Sequence, residues 1–253
     1  MSKVAAIANQ KGGVGKTTTA INLAASLAHL RQECLLIDMD PQSNTTSGLG
    51  INKNNLCKTI YNVLIDDIAL EDVLHNTAID RLDIAPATTD LSGAEVDLVN
   101  MPDREKKLKL ALEKFRKVYD YVVIDCPPSL GLLTINALVA ADTVLIPMQC
   151  EFFALEGLGQ LSKTISALMQ NYNLDLEGVL FTMVDSRTNL TNQVVEEVKK
   201  FFKEKVYETK IPRTIRLAEA PSFGKPILLY DPLNKGAQAY MDFAKEFLSR
   251  QSK

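Results

Sequence analysis

Seven short runs of mostly apolar residues punctuate the chain, at Val4–Ala8, Cys34–Ile37, Leu82–Ala85, Tyr121–Ile124, Thr143–Pro147, Gly178–Val184 and Val206–Ile211. Most are continuous rather than alternating, which is how strands covered on both faces read. Apolar residues at helical spacing fill most of the intervals, at Thr17–Leu30, Lys58–Ile65, Arg104–Val118, Leu132–Ala140, Leu155–Gln170 and Asn192–Lys203. A last amphipathic segment runs from about Gly236 to Leu248 and places Tyr240, Phe243, Ala244 and Phe247 on one face. Strands alternating with helices predict an α/β fold with one doubly wound, mainly parallel sheet and helices on both faces. No linker-like stretch or internal repeat divides residues 1–253, so a single domain is expected.

In such sheets, ligands gather at the carboxyl ends of the strands, and the polar chemistry of this sequence sits there. The first apolar run leads into Lys11-Gly12-Gly13-Val14-Gly15-Lys16-Thr17-Thr18, followed by a helical pattern. Strand, glycine-rich loop and helix together form a phosphate-binding P-loop. The glycines let backbone N–H groups converge on an anion, and the positive helix end points at the same place. Lys16 supplies a charge for the β/γ-phosphates and the Thr17 hydroxyl a ligand for Mg²⁺. The usual pattern has glycine where Gln10 stands, and Lys11 adds a second lysine at the head of the loop. The loop predicts binding of a nucleoside triphosphate.

Two further runs end in acids: Leu35-Leu36-Ile37 precedes Asp38-Met39-Asp40, and Val122-Val123-Ile124 precedes Asp125. An unpaired carboxylate ending a buried strand is costly, and a phosphate-bound Mg²⁺ beside it offsets that cost. Asp125 therefore fits the acid that holds the metal, directly or through water. Of Asp38 and Asp40, one could brace the metal shell while the other orients the attacking water.

Composition narrows the field. The 253-residue chain is 46% hydrophobic and carries a net charge of −3, so any claim of nucleic-acid binding must come from local clusters. Cys34, Cys57, Cys126 and Cys150 show no metal-ligand spacing, and only two histidines accompany them. No apolar run reaches the length of a membrane span, and the P-loop begins almost at once. A reduced, cytoplasmic protein without an N-terminal DNA-reading extension is the expectation.

The segments KGGVGKTT (Lys11–Thr18), DMDPQSN (Asp38–Asn44), VVIDCPPSLGLLTINAL (Val122–Leu138), IPMQCEFFALEGL (Ile146–Leu158) and IPRTIRLAEAPSFGKPI (Ile211–Ile227) together resemble the ParA/MinD family of deviant-Walker ATPases, its ParA/Soj branch in particular. The likeness spans essentially the whole chain. It implies an ATP- and Mg²⁺-dependent homodimer in which Lys11 reaches the partner's phosphates, and a slow ATPase whose hydrolysis separates the dimer. It further implies that Asp40 orients the hydrolytic water, that Thr17 binds the metal and Asp125 supports it through water, and that Pro212 and Thr214 line the adenine pocket. Family members often carry Asn at the last position. The implied partners are nonspecific double-stranded DNA, contacted through Arg187 and Arg216, and a ParB-like DNA-binding protein that stimulates hydrolysis. The implied role is chromosome or plasmid segregation on the nucleoid.

Charge alone supports the DNA reading weakly. Lys199–Arg216 holds seven basic residues against two acidic ones, and clustered on one face with Arg187 they would contact phosphates. Arg104–Lys117 has the same balance, yet Leu108, Ala111, Leu112 and Phe115 form a helical stripe that turns its charges to water. A MinD-like switch at the membrane surface is the alternative. It needs a basic amphipathic tail, whereas the last segment carries Asp242 and Glu246 and reads as a helix docked on the sheet. An iron–sulfur electron carrier would need cysteine pairs, a metabolic ligase or kinase a second substrate pocket, and a non-enzymatic scaffold would leave Asp40 without a task.

Overall fold

Alternate residues of the first strand feed two separate cores. In β1 (Lys3–Ile7), Ala5 and Ile7 pack into one hydrophobic cluster, while Ala6 and the following Ala8 pack into the other. That division needs helices on both faces, and the computed structural model has them. It describes residues 2–115, 119–151, 163, 165–185, 187 and 189–251. The remaining strands are β2 (Cys34–Asp38), β3 (His75–Asn76), β4 (Leu82–Ala85), β5 (Tyr121–Asp125), β6 (Thr143–Gln149), β7 (Asp175–Val184) and β8 (Val206–Pro212). They form one eight-stranded sheet in the order β3-β4-β2-β5-β1-β6-β7-β8, parallel throughout except for β3 against β4.

The labelled helices are α1 (Lys16–His29), α2 (Asn44–Gly48), α3 (Ile60–Ile65), α4 (Leu91–Asp97), α5 (Lys107–Lys114), α6 (Leu132–Ala140), α7 (Asn189–Phe202), α8 (Ile215–Glu219), α9 (Ile227–Tyr230) and α10 (Lys235–Gln251). Helix α1 and α10 share one face of the sheet, where Leu23, Ala24 and Leu27 meet Tyr240, Phe243 and Phe247 in one cluster. The apolar stripe of α10 is thus fully buried in the fold, with Tyr240 at 1% exposure and Phe243 and Phe247 at 0%. A stripe already covered by the protein's own sheet cannot also lie in a bilayer. Among the described residues no helix is long and apolar enough to cross a membrane.

Each of the seven predicted strands is present, and several extend past their apolar run to take in the polar residue at the end: Asp38, Asp125 and Gln149 are ladder members. The two-residue β3 carries no apolar signal and was not expected. The segment predicted as a helix over Arg104–Val118 is shorter, because Arg104, Glu105 and Lys106 lie in turns after Pro102 and helix α5 spans Lys107–Lys114; residues 116–118 lie outside the described residues. Of the expected helix Leu155–Gln170, residues 165–170 are helical and most of the remainder lies outside the described residues. Helices α2, α4, α8 and α9 are too short to show a period in sequence.

Candidate nucleotide site

The loop between β1 and α1 turns through two left-handed glycines, Gly13 (φ 74°) and Gly15 (φ 89°), a conformation that side chains with a Cβ rarely adopt. Val14 between them is buried at 1% exposure and anchors the loop on the sheet. Lys16 opens α1 and is 7% exposed; its Nζ donates to the Lys11 carbonyl oxygen at 3.2 Å. Burial lowers the Lys16 pKa, opposed by the charges of Asp125, Cys126 and Asp40 around it. The loop therefore holds one desolvated cation against an arc of backbone donors. Thr17 and Thr18 follow in the first turn, as expected.

Asp38 and Asp125 are register partners across β2 and β5, and both are fully buried. Burial pushes Asp125 up to about 7, with the neighbouring Asp38 charge adding to it and the hydroxyls of Thr45 and Thr17 holding it down. Burial likewise pushes Asp38 up to about 6 against the hydrogen bonds of Thr46 and Asp40 N–H. Helix α2 sits directly over this pair. Thr45 Oγ1 donates to Asp125 Oδ2 at 2.6 Å, Thr46 Oγ1 to Asp38 Oδ2 at 2.6 Å, and Thr46 N–H to the same oxygen at 2.9 Å.

The two acids differ in what is left over. Asp38 also accepts from Asp40 N–H at 3.2 Å, so its carboxylate is taken up in bracing the loop to α2. Among the described residues, Asp125 Oδ1 is buried and makes no hydrogen bond of ordinary geometry. A buried carboxylate oxygen left open, beside a threonine hydroxyl and a phosphate loop, fits a hard divalent cation. Among the described residues no group of three or more His, Cys, Asp or Glu gathers to cage a metal. Mg²⁺ takes one or two protein oxygens and leaves the rest to phosphate and water. Asp40 lies just past the strand at 6% exposure, its Oδ1 accepting from Gln42 N–H at 2.9 Å.

A cavity of about 320 Å³ opens beside the loop, lined by Gly15, Thr18, Met183, Pro212, Thr214 and Tyr240 among others. Pro212 and Thr214, the residues expected to line an adenine pocket, both line this cavity. Thr214 Oγ1 donates to Asn234 Oδ1 at 3.2 Å, so the asparagine just before α10 supports this wall. Tyr240 Oη and Thr19 Oγ1 lie 3.1 Å apart and tie α10 to α1 under the cavity.

Lys11 forms an ion pair with Glu151 of its own chain, both side chains being about half exposed (40% and 49%). Such a pair contributes roughly 0–1 kcal/mol, too little to keep the ammonium from a triphosphate.

The arginines expected to touch DNA emerge from neighbouring strands. Arg187 lies just past β7, its guanidinium bidentate on Asp185 (Nε–Oδ1 2.9 Å, Nη2–Oδ2 2.6 Å), which holds the Asp185 carboxyl well below the usual range. Arg216, on α8 after β8, donates to Glu219 Oε2 at 3.0 Å and pairs with Asp231 at 3.6 Å. The expectation of one basic face over Lys199–Arg216 is corrected by β8. That strand separates Lys199, Lys200, Lys203 and Lys205 at its start from Arg213 and Arg216 beyond its end, a span of about 20 Å at ~3.3 Å per residue. Lys199, Lys200 and Lys205 are moreover paired with Glu208, Glu197 and Asp175. Only the Arg187 and Arg216 end lies on the nucleotide side of the sheet.

A variant phosphate loop on a central parallel strand, flanked by two strand-end acids and a base-sized cavity, defines a P-loop nucleoside-triphosphate-binding protein of the deviant Walker class. A family model described as an AAA domain matches residues 2–178. The chain is 57% identical to the sporulation initiation inhibitor protein Soj of Bacillus subtilis (strain 168), covering 97% of this chain and 98% of the relative. It is 55% identical to the chromosome partitioning protein ParA of Myxococcus xanthus (strain DK1622), covering 100% and 90%. Among solved structures, one titled cobyrinic acid a,c-diamide synthase from Mycobacterium smegmatis, with bound ADP and magnesium, superposes with a TM-score of 0.88 at 39% identity, covering 100% of this chain and 96% of that one. The chain belongs to the ParA/Soj family.

Sequence reading missed Thr45, Thr46, Gln149, Thr182 and Asn234 as parts of the site. Thr45 and Thr46 left a signal as hydroxyls a few residues past the acidic strand end, and Gln149 as part of the segment Ile146–Leu158.

Proposed function

We propose that the protein is an ATP-driven dimerisation switch that binds nonspecific DNA and segregates chromosome or plasmid DNA. The observation that carries the reading is the phosphate loop with Lys11 at its head beside the Asp38–Asp125 row, in a chain 57% identical to Soj. Its base-sized cavity suits adenine, and a solved relative at 39% identity holds ADP and magnesium. Lys16 and the loop N–H groups would bind the phosphates, with Thr17 and Asp125 holding Mg²⁺. The metal would screen the triphosphate and the buried carboxylates. Asp40 would orient water against the terminal phosphate, and Asp38 would keep Asp40 and α2 in place.

Lys11, weakly held by Glu151, would swing to the phosphates of a second subunit, so that binding nucleotide and closing the dimer are one event. A lysine offers a point charge without the fork of an arginine finger. Basal turnover should therefore be low, and a ParB-like partner with DNA should raise it. Two arginines per subunit near the nucleotide end of β7 and β8 would double in the dimer, giving salt-sensitive phosphate contacts. The same reading makes the protein cytoplasmic and nucleoid-associated. The test is a mobility shift on nonspecific duplex with ATP. Arg187→Glu with Arg216→Glu should abolish the shift while ATP turnover persists; an unchanged shift would remove this surface from the reading.

A further inference from the structure

Two successive carbonyl groups of the phosphate loop are held from the side. The Gly13 carbonyl accepts from Gln149 Nε2 at 2.8 Å, and the Val14 carbonyl accepts from Thr182 Oγ1 at 2.7 Å. Gln149 and Thr182 are register partners in the β6–β7 ladder, so one row of the sheet grips two consecutive peptide units. In a trans peptide the C=O and N–H point in opposite directions. Fixing the Gly13 and Val14 carbonyls against β6 and β7 therefore turns the Val14 and Gly15 N–H groups away from them. Those N–H groups belong to the stretch that must converge on an anion.

The loop needs such a restraint. Gly13 and Gly15 carry no Cβ to limit their backbone, and their left-handed angles of 74° and 89° are only part of what glycine can visit. Thr182 is 2% exposed, and a Cβ on Gly15 would lie 3.7 Å from its Cβ, so the donor is also packed against the turn it holds. Gln149 reaches further: the same Nε2 lies 2.9 Å from Met183 Sδ, and Met183 lines the base cavity with a left-handed φ of 51°.

We propose that Gln149 and Thr182 are positioning residues that pre-aim the Val14 and Gly15 N–H groups at the phosphates, and that Gln149 ties this cradle to the base cavity through Met183. The assignment rests on the nucleotide reading above. Neither residue touches the reacting atoms; their effect runs through the loop backbone. Because the aim is set before ligand arrives, loss of either donor raises the entropy the loop must give up on binding.

The test is calorimetric titration of Mg–ADP into the full chain, with the backbone amide resonances of Val14 and Gly15 followed alongside. Thr182→Val keeps the shape and removes the donor, Thr182→Ser keeps the donor, and Gln149→Leu removes the other prong. Thr182→Val and Gln149→Leu should each weaken ADP by about 3- to 10-fold, the worth of one hydrogen bond, and broaden the Val14 and Gly15 amides by exchange. Thr182→Ser should stay within about twofold of the parent, since it retains that bond. Parental affinity and sharp amides in both donor-less variants would overturn the proposal, as would equal losses in Thr182→Val and Thr182→Ser. Should Thr182→Val fail to fold, Gln149→Leu alone decides, because that side chain is only partly buried. A parent chain that binds no ADP would instead sink the nucleotide reading beneath it.

Discussion

Thr45→Val isolates the hydroxyl that holds Asp125, the acid proposed to face the metal. Thr45 has no solvent exposure, and its Oγ1 lies 2.6 Å from Asp125 Oδ2, while among the described residues Asp125 Oδ1 makes no hydrogen bond of ordinary geometry. Valine preserves the shape, so the change removes a donor and little packing. In buffer at about pH 8, where Asp125 is mostly ionised, a hydrogen bond to this charged group contributes about 1.5–3 kcal/mol. In a domain of this size each kcal/mol moves the melting temperature by about 2–4 °C. A central cost of about 2 kcal/mol thus lowers Tm by roughly 4–8 °C in metal-free buffer. Bound Mg–ADP would bring positive charge to the open side of Asp125, so the gap between variant and parent should shrink to under about half when both are saturated. Paired thermal melts in chelator and in Mg–ADP measure both numbers. An unchanged Tm in chelator would refute the hydrogen-bond argument. A gap that stays the same with and without Mg–ADP would refute Asp125 as the acid that faces the metal.

Other parts of the structure make separate claims. The edge strand β8 is closed by α10, where Glu246 accepts from Glu208 N–H and Thr209 N–H, both at 2.9 Å, and from Arg250 at 2.8 Å. Glu246→Ala should lower stability by about 1–3 kcal/mol, reopen that edge to association and leave the denaturant slope unchanged; a midpoint in urea equal to the parent's would contradict it. The metal-free site also sets a sign with pH. Asp125, pushed up to about 7, keeps in the folded state a proton that the unfolded chain releases near pH 4, so its contribution to stability is present at low pH and lost as pH rises through 7. Asp125→Asn should therefore gain on the parent between pH 5.5 and pH 8 in chelator, by more than about 1 kcal/mol; a variant that loses ground over that range would reverse the assignment.

What the sequence made legible was local. The phosphate loop is contiguous from Lys11 to Thr18, and Asp38 and Asp125 end apolar runs, so each could be found without knowing its neighbours. Their adjacency in one row could be expected only in outline, since register is not written in either strand. The roles of Gln149 and Thr182 were hidden for the same reason: Gln149 falls in a segment that carries the family resemblance, but each is an ordinary polar residue until β6 and β7 pair and both side chains meet the loop. Asn234 needs α10 folded back over the sheet before it reaches Thr214. The Lys199–Arg216 stretch misled in the opposite direction. Counting charges along the chain treats neighbours in sequence as neighbours in space, and β8 carries the two halves of that stretch to opposite ends of the sheet.

The switch itself is tested most directly with Asp40→Ala, measured as binding to nonspecific duplex by fluorescence anisotropy with and without ATP. On the proposed reading Asp40 orients water rather than holding phosphate, so the variant should bind ATP and remain in the closed dimer. It should show tight, salt-sensitive DNA binding that depends on ATP and does not decay as the parent's does. Binding to DNA that is indifferent to ATP, or its absence in a variant that demonstrably holds ATP, would contradict the coupling of the phosphate loop to the Arg187 and Arg216 surface.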